Sequence, residues 1–444
     1  MRLSKLRQPL DGWTDPAAAF SALYSSETDT VWLDSGRDAT TGKSYMGRAS
    51  RTVSSDSLDG SILDFLRREL AEVVLDPDGD TFSLGWLGWL GYELRFETLD
   101  LPRTRQSRYP DAAFVYLDRV IEFDHATGVV SLVALGTDWS DELAQWRDET
   151  TAVLASATPP PRPRKFKATG ADYWRYSDAE YLRLIASCQA TIAEGEAYQL
   201  CLTTEFRIEG RPDPFSAYLT LRESSPSHHS ALVRIGEISL LSASPEVFLS
   251  VTADGTIESR PIKGTRPRGA DVETDDALRR ELVESDKERA ENLMIVDLMR
   301  NDIARVSEIG SVEVTSLLAV ESYAQVHQLV SIVRGQLREG LSGVDAVAAC
   351  FPAGSMTGAP KRNATLILDA LEQRPRGIYS GAFGYFSLDG RIDLAMVIRS
   401  IVMDPLGATV GSGGGITALS NPEDELAEVR LKAAALLAVL GADA

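Results

Sequence analysis

Ile238-Ser-Leu-Leu-Ser-Ala-Ser-Pro-Glu-Val-Phe-Leu-Ser-Val251 reads as two strands, 238–243 and 246–251, flanking a turn, and 256–262 follows as a third. Short apolar and β-branched runs bounded by turn residues are strand signals. They recur at 30–33, 113–116, 198–206, 381–387 and 393–402. Helix-like segments lie near 61–72, 275–305, 343–350, 360–371 and 422–440, and another is capped by Ser177 or Asp178. In the helix that Ser177 opens, Tyr181, Ile185, Cys188 and Ile192 recur at steps of 4, 3 and 4, the period of one buried face. Hairpin-like strand pairs interspersed with helices predict a mixed α/β fold of the α+β type, mainly antiparallel rather than doubly wound.

Working outward, Leu84-Gly-Trp-Leu-Gly-Trp-Leu-Gly-Tyr92 sets small residues between large aromatics, as suits a sheet whose backbones approach closely. Thr158-Pro-Pro-Pro-Arg-Pro-Arg-Lys165 can neither continue a helix nor complete a ladder. It marks a seam, so the chain divides into an N-terminal region 1–157, a Pro-rich linker 158–170 and a larger C-terminal region 171–444. A length of 444 residues allows one large domain or two. The net charge of −20 repels phosphate backbones and anionic lipid, which excludes nucleic acid and membrane surfaces as natural partners. It also opposes an anionic substrate at long range, so local cations must draw one in. Cys188, Cys201 and Cys350 have no disulfide or metal spacing and read as buried free thiols. No signal-peptide or membrane-length apolar run is present, and a cytoplasmic location is expected.

Some signals are bland. Phe351-Pro-Ala-Gly-Ser-Met-Thr-Gly-Ala-Pro-Lys361 has the wrong glycine spacing and ending for a phosphate loop. Gly411-Ser-Gly-Gly-Gly415, between a strand-like segment and a capped helix, reads as a backbone nest for an anion rather than a flexible linker. His125, His228, His229 and His327 show no zinc spacing, and no Ser–His–Asp arrangement is visible. Glu425 and Glu428 share a helix face with Lys432, which on its own is an ordinary solvated i,i+4 arrangement. Glu246, Lys263 and Glu291 are each unremarkable singly.

Together these segments carry more. SPEVF at 244–248, RPIKGTRPRG at 260–269, AENLMIVDLMRND at 290–302 and FPAGSMTGAPK at 351–361 resemble the chorismate-utilising family in wording, order and spacing. RGIYSGAFGY at 376–385, IRS at 398–400, GSGGGI at 411–416 and ELAEVRLKA at 425–433 continue the series, and GWLGYE at 88–93 matches more weakly. The resemblance implies a four-layered α/β/β/α sandwich with two mainly antiparallel sheets. It implies magnesium held by Glu291 and Glu428 with Glu425 nearby, a hard cation on oxygen ligands. It assigns Gly264, Thr265, Gly413, Gly414 and Lys432 to the ring carboxylate of chorismate, Tyr379 and Arg399 to the enolpyruvyl carboxylate, and His327 to the lining of the ring. Val31-Trp-Leu-Asp-Ser35 falls where relatives carry a tryptophan pocket, a loose match.

Two positions choose among branches. Gln199 stands where the isochorismate and salicylate branch carries a water-activating lysine, and glutamine cannot deprotonate water, so ammonia is the expected nucleophile. Lys263, in Pro-Ile-Lys-Gly-Thr, resembles the aminodeoxychorismate branch, whereas anthranilate synthases carry a small residue there. The expected chemistry is covalent: Lys263 adds at C2 and expels the C4 hydroxyl, and ammonia at C4 then expels the lysine. Glu246 is the expected proton shuttle, with a raised pKa, and Lys263 is expected to have a depressed one. No glutaminase cysteine elbow is present, so a separate glutamine amidotransferase partner is implied as the source of ammonia. The product expected is 4-amino-4-deoxychorismate, for 4-aminobenzoate or folate synthesis. Anthranilate synthase component I is the near alternative, and a non-catalytic chorismate-binding subunit the remote one.

Overall fold

Apolar strands of this length cannot each find a helix to cover both faces, so they pair with one another. A computed structural model describes residues 4–73, 75, 82–163, 166, 172–323 and 326–442. Within them the strands form two large sheets in which every pairing is antiparallel. The first sheet runs from Ser4–Pro9 at one edge through Thr30–Asp34, His229–Ile235, Ile238–Ser244, Ser400–Asp404 and Gly407–Ile416 to Gln199–Ile208. The second runs from Ile262–Pro267 and Val326–Gln336 through Val247–Val251, Ile392–Met396, Ala382–Ser387 and Gly85–Leu90 to Arg51–Ser54.

The two-residue period of a strand sorts the side chains into three apolar layers. Leu87, Trp89, Phe383 and Ala395 of the second sheet meet Val31, Val233, Leu240 and Val402 of the first, forming the core between the sheets. The alternate residues Trp86, Leu90 and Phe386 face the helices Ile62–Glu72, Asp286–Ala304 and Gly343–Cys350. Trp32, Leu232, Leu241 and Val410 face the helices Pro16–Leu23, Pro214–Ser224 and Pro422–Val439. The result is the expected α/β/β/α sandwich.

Strands from residues 4–136 are built into both sheets beside strands from beyond residue 198. The two sequence regions therefore share one pair of sheets. Of the Pro-rich linker, residues 164–165 and 167–170 lie outside the described residues. Ser177 is the cap of the helix Asp178–Ala193, and its hydroxyl and Glu180 form a capping box. All three cysteines are buried and free.

Several element boundaries differ from expectation, each for a local reason. The segment 275–305 is two helices, Val272–Glu284 and Asp286–Ala304, because Ser285 adopts an extended conformation and caps the second through Glu288 N. The run 256–262 is split before Arg260-Pro261 into Thr256–Ser259 and Ile262–Pro267. The run 393–402 is also two strands, Ile392–Met396 and Ser400–Asp404, lying in different sheets. So are 238–244 and 247–251: what reads as a hairpin turn is a passage from one sheet to the other. The glycine run 411–415 is not a nest but extended strand, paired to residues 201–205.

The glycines of Leu84–Tyr92 act as expected. Gly88 and Gly384 are directly opposed, and a Cβ would stand 1.9 Å from Ala113 O at Gly88 and 2.0 Å from Asp393 O at Gly384. Gly384→Ala is worse placed still, because its φ is +147°. Either alanine substitution should destabilise the fold by about 1–3 kcal/mol or more, as overpacking does. Thermal denaturation measures it, and an unchanged melting temperature would contradict the close approach.

Candidate active site

The two sheet-to-sheet passages run side by side. Ala243 N donates to Arg399 O at 3.1 Å, and Met396 N donates to Glu246 O at 3.0 Å. Residues 239–242 pair with 400–403 in the first sheet, and 247–251 pair with 392–395 in the second. Glu246 and Arg399 each occupy a passage, and Arg399 holds left-handed backbone at φ +51°. A non-glycine residue pays strain for that conformation, which the flanking ladders impose.

Around this seam the helices and the strand Ile262–Pro267 bring three carboxylates and three lysines together. Glu291, buried on Asp286–Ala304, has its Oε2 3.8 Å from Lys263 Nζ. Glu425, buried near the start of Pro422–Val439, accepts from Lys287 Nζ at 3.2 Å and from Ser420 Oγ at 2.8 Å. Glu428 is 2.6 Å from Lys432 Nζ, which also donates to Gly413 O at 3.1 Å. Each acid is thus met by a lysine. Among the described residues no three Asp, Glu, His or Cys side chains converge on one point where a metal could sit.

The electrostatics follow. Burial lowers the pKa of the Lys263 ammonium, but Glu291, Cys201, Glu246 and Glu428 outweigh it and hold it above the usual lysine value. The depression is expected with magnesium beside the amine; with the carboxylates as its neighbours, the Lys263 ammonium is held above the usual lysine value instead. Burial raises Glu291 despite Lys263 and Lys287. Burial also works to raise Glu428, but Lys432, Lys287 and Lys263 prevail and lower it. Glu246 is pushed up to about 7 by burial, against the pull of Lys263, the Ser355 hydroxyl and Lys432. It titrates in the range useful to a proton shuttle, as expected.

Tyr379 and Arg399 close the far side. The Tyr379 ring occupies the space a side chain at position 411 would need: a Cβ on Gly411 would lie 2.1 Å from Tyr379 Cγ. Arg399 is solvent-accessible and donates to Lys432 O at 3.4 Å. Its guanidinium is set deeply enough for desolvation to lower its pKa, while Tyr379 and Glu428 beside it act to raise it. It remains a cation. Gly414 leaves room for Glu425, whose Oε2 would stand 2.9 Å from a Cβ there. Glu246, Lys263, Glu291, Tyr379, Arg399, Glu425, Glu428, Lys432 and the glycine strand therefore form one site.

Three further sequence-predicted residues make contacts of their own. His327 is buried with both ring nitrogens engaged, Nδ1 by Ser322 Oγ at 2.8 Å and Nε2 by Asp275 Oδ1 at 3.0 Å. This is a Ser–His–Asp chain that the sequence did not reveal, and Arg268 takes up Asp275 as well, through bonds of 2.8 Å to each of its oxygens. The arrangement pins the helix Val272–Glu284 to the sheet. Gly264 turns toward Leu282 and Glu288, with φ +83°, and Thr265 is exposed.

Sequence reasoning missed Lys287 and Ser355. Lys287 lies one helical turn before Glu291, so the i,i+4 rule could have found it. The segment 351–361 is also accounted for: its Lys361 pairs with Asp302 Oδ2 at 2.5 Å and donates to Cys350 O at 2.6 Å, tying it to the helix that carries Glu291. Gln199 is buried, stands against Gly415, and among the described residues its Oε1 has no hydrogen-bond partner. A separate cavity of about 410 Å³ opens between the sheets under residues 33–35, lined by Asp34, Lys43, Tyr45, His229, Tyr385 and Asp393.

Residues 22–438 match the family described as chorismate binding enzyme. The chain belongs to that family. It is 41% identical to an aminodeoxychorismate synthase of Streptomyces pristinaespiralis over 96% of this chain and 64% of that protein. It is 38% identical to aminodeoxychorismate synthase component 1 of Salmonella typhimurium over 79% of this chain and 76% of that one. The fold superposes on anthranilate synthase component I from Streptococcus pneumoniae with a TM-score of 0.75 and 26% identity, covering 98% and 91% of the two chains. The chain spans less than two thirds of the length of the Streptomyces relative. Among the described residues no helix is long and apolar enough to cross a membrane.

The raised Glu246 pKa makes a signed prediction. A carboxyl held protonated by the fold adds stability that is fully present below its unfolded value of 4.5 and is lost as pH rises through about 7. Glu246→Gln removes that dependence. The melting temperature of the variant minus that of the parent should become more positive between pH 5 and pH 8. A difference that stays flat with pH would show that Glu246 is not so shifted.

Proposed function

We propose that this member of the chorismate-binding enzyme family is the aminating component of an aminodeoxychorismate synthase, converting chorismate and ammonia to 4-amino-4-deoxychorismate. The observation that carries the reading is Lys263, enclosed by Glu246, Glu291 and Glu428 at the seam between the sheets. The relatives of the same name support it, as does Gln199, which offers no base to activate water.

Chorismate is a dianion, and Lys432, Arg399 and Lys287 are the cations that meet it, with Tyr379 and the free edge of the glycine strand as further donors. The glutamates supply hard oxygen donors only, which suits magnesium in kind, although Lys263 and Lys287 must first release Glu291 and Glu425. Glu291 and Glu428 would hold the ion, with Glu425 behind them. When bound, magnesium supplies Lewis-acid polarisation of the ring carboxylate.

Lys263 becomes a nucleophile once its carboxylate neighbours stop holding its proton and the ammonium gives that proton up to water. Its amine bonds to C2 of the ring, both ring double bonds shift along by one position, and the C4 hydroxyl leaves as water with the proton of Glu246. Ammonia then bonds to C4, both double bonds shift back, and the C2–lysine bond breaks, with Glu246 taking the excess proton from the new amine. Each half of the exchange is easier than direct substitution. The enolpyruvyl group stays on the product. Ammonia comes from a separate glutamine amidotransferase, in the cytoplasm, and high ammonium replaces it in the test tube.

Incubating the chain with chorismate, magnesium and excess ammonium, followed by an aminodeoxychorismate lyase, tests this directly. 4-Aminobenzoate should appear only after the lyase, and Lys263→Ala or Glu246→Gln should slow its formation by about a hundredfold or more. Anthranilate and pyruvate without the lyase would instead favour the activity named for the Streptococcus structure. Chelation of divalent cations should stop turnover. Glu291→Gln and Glu428→Gln should each raise the magnesium concentration giving half the maximal rate by about tenfold or more; unaltered magnesium dependence in both would remove them from the ion's shell.

A further inference from the structure

A second buried charge cluster lies behind Tyr379, and the chemistry above leaves it unused. The Arg376 guanidinium donates to Glu372 through Nη2 at 2.7 Å and Nε at 2.9 Å. Its Nη2 also reaches Cys201 O at 2.8 Å, and Nη1 reaches Met356 O at 2.7 Å. The Tyr92 ring lies under it at 4.3 Å. Glu93, buried at the end of Gly85–Leu90, accepts from Arg376 N at 2.9 Å and Gly377 N at 2.7 Å, one bond to each oxygen.

The location explains the expense of burying so much charge. One edge of Gln199–Ile208 is covered by Gly358–Ala359 at residues 199–200 and by Asp172–Trp174 at 206–208. In the gap, side chains stand in for a strand. Arg376 takes the Cys201 carbonyl, and Glu372 Oε1 accepts from Thr203 N and Oγ1, both at 2.9 Å. From Arg376 the chain passes through Gly377 and Ile378 to Tyr379 and then enters Ala382–Ser387 of the other sheet. The cluster is thus a bridge from the edge beside the glycine strand to the segment that presents Tyr379. That segment is also held by backbone bonds, Tyr92 N to Gly377 O at 2.8 Å and Ser380 N to Val397 O at 3.0 Å, yet Gly377 and Ser380, on either side, both hold φ +67°, a strained value for serine that the surroundings must sustain.

We propose that Glu93, Glu372 and Arg376 form a positioning clip that sets the Tyr379 ring against Gly411 and thereby governs how tightly the substrate carboxylate is held. The clip acts through Tyr379 rather than on the reacting atoms. Its link to affinity rests on the substrate contact proposed for Tyr379, whereas its hold on the ring does not.

The test reads both links. The protein is labelled with 3-fluorotyrosine, and the Tyr379 resonance is assigned by its loss in Tyr379→Phe. In Glu93→Gln and in Arg376→Lys this resonance should shift or broaden, while that of Tyr24, on the far helical layer, stays in place. In folded variants the KM for chorismate should rise about tenfold with kcat within about threefold, the pattern of lost uniform binding. Adding Glu93→Gln to Tyr379→Phe should raise KM no further, because both act on one contact. An unmoved Tyr379 resonance, multiplicative KM increases in the double variant, or collapse of the fold in both single variants would overturn the clip. Should the parent neither bind nor turn over chorismate, the functional reading falls and the fluorine spectrum alone decides the clip.

Discussion

The site depends on one constraint: two antiparallel chain segments leave one sheet together and join the other together. Residues 243–247 and 395–400 could each have turned back as a hairpin. Instead their backbones bond to one another across the gap, through Ala243 N to Arg399 O and Met396 N to Glu246 O. A pair of passages held in that way cannot slide, because a slip of one residue would reverse every side chain in four strands. Glu246 and Arg399 are therefore fixed by the ladders of both sheets, not by a loop. The left-handed backbone at Arg399 is a local cost that this arrangement sustains.

The second requirement is electrostatic. A chain of net charge −20 must assemble positive charge locally if it is to take the dianion proposed for it. The fold does so by threading Lys263, Lys287, Lys432 and Arg399 among Glu246, Glu291, Glu425 and Glu428. Burying the acids alone would be costly, and burying the lysines alone equally so; as pairs they are tolerated. The same pairing holds Lys263 charged, while burial pushes Glu246 up to about 7 against the pull of the lysines.

Much of this was legible in the sequence, for identifiable reasons. Layering followed from alternation: Trp86 and Leu90 face one way, Leu87 and Trp89 the other, as their two-residue period requires. The acids could be singled out because they interrupt apolar runs, where a charge without a purpose is expensive. Three features were not legible. Which sheet a strand joins is decided by partners remote in sequence, so the passages at 244–246 and 397–399 looked like turns or continuous strand. The break at Ser285 rests on one residue's extended backbone inside an otherwise helical pattern. The bond of His327 to Asp275 could not be foreseen because the two are 52 residues apart and nothing in the sequence links them.

The lysines that neutralise the acids also suggest how the site can be rigid yet open to exchange. Lys287 is half exposed, while its partner Glu425 is buried and additionally held by Ser420. A surface ammonium regains its hydration when it lets go, so releasing Glu425 costs little on the lysine side. Lys263 differs, being enclosed by its carboxylates, and it can leave Glu291 only as their charge is taken up by something else. On the proposed chemistry this asymmetry sets an order: Lys287 is the partner that lets go first, and Lys263 follows it. An amine so guarded stays protonated, and under the proposed chemistry that protonation would keep it from adventitious electrophiles until the carboxylates release it.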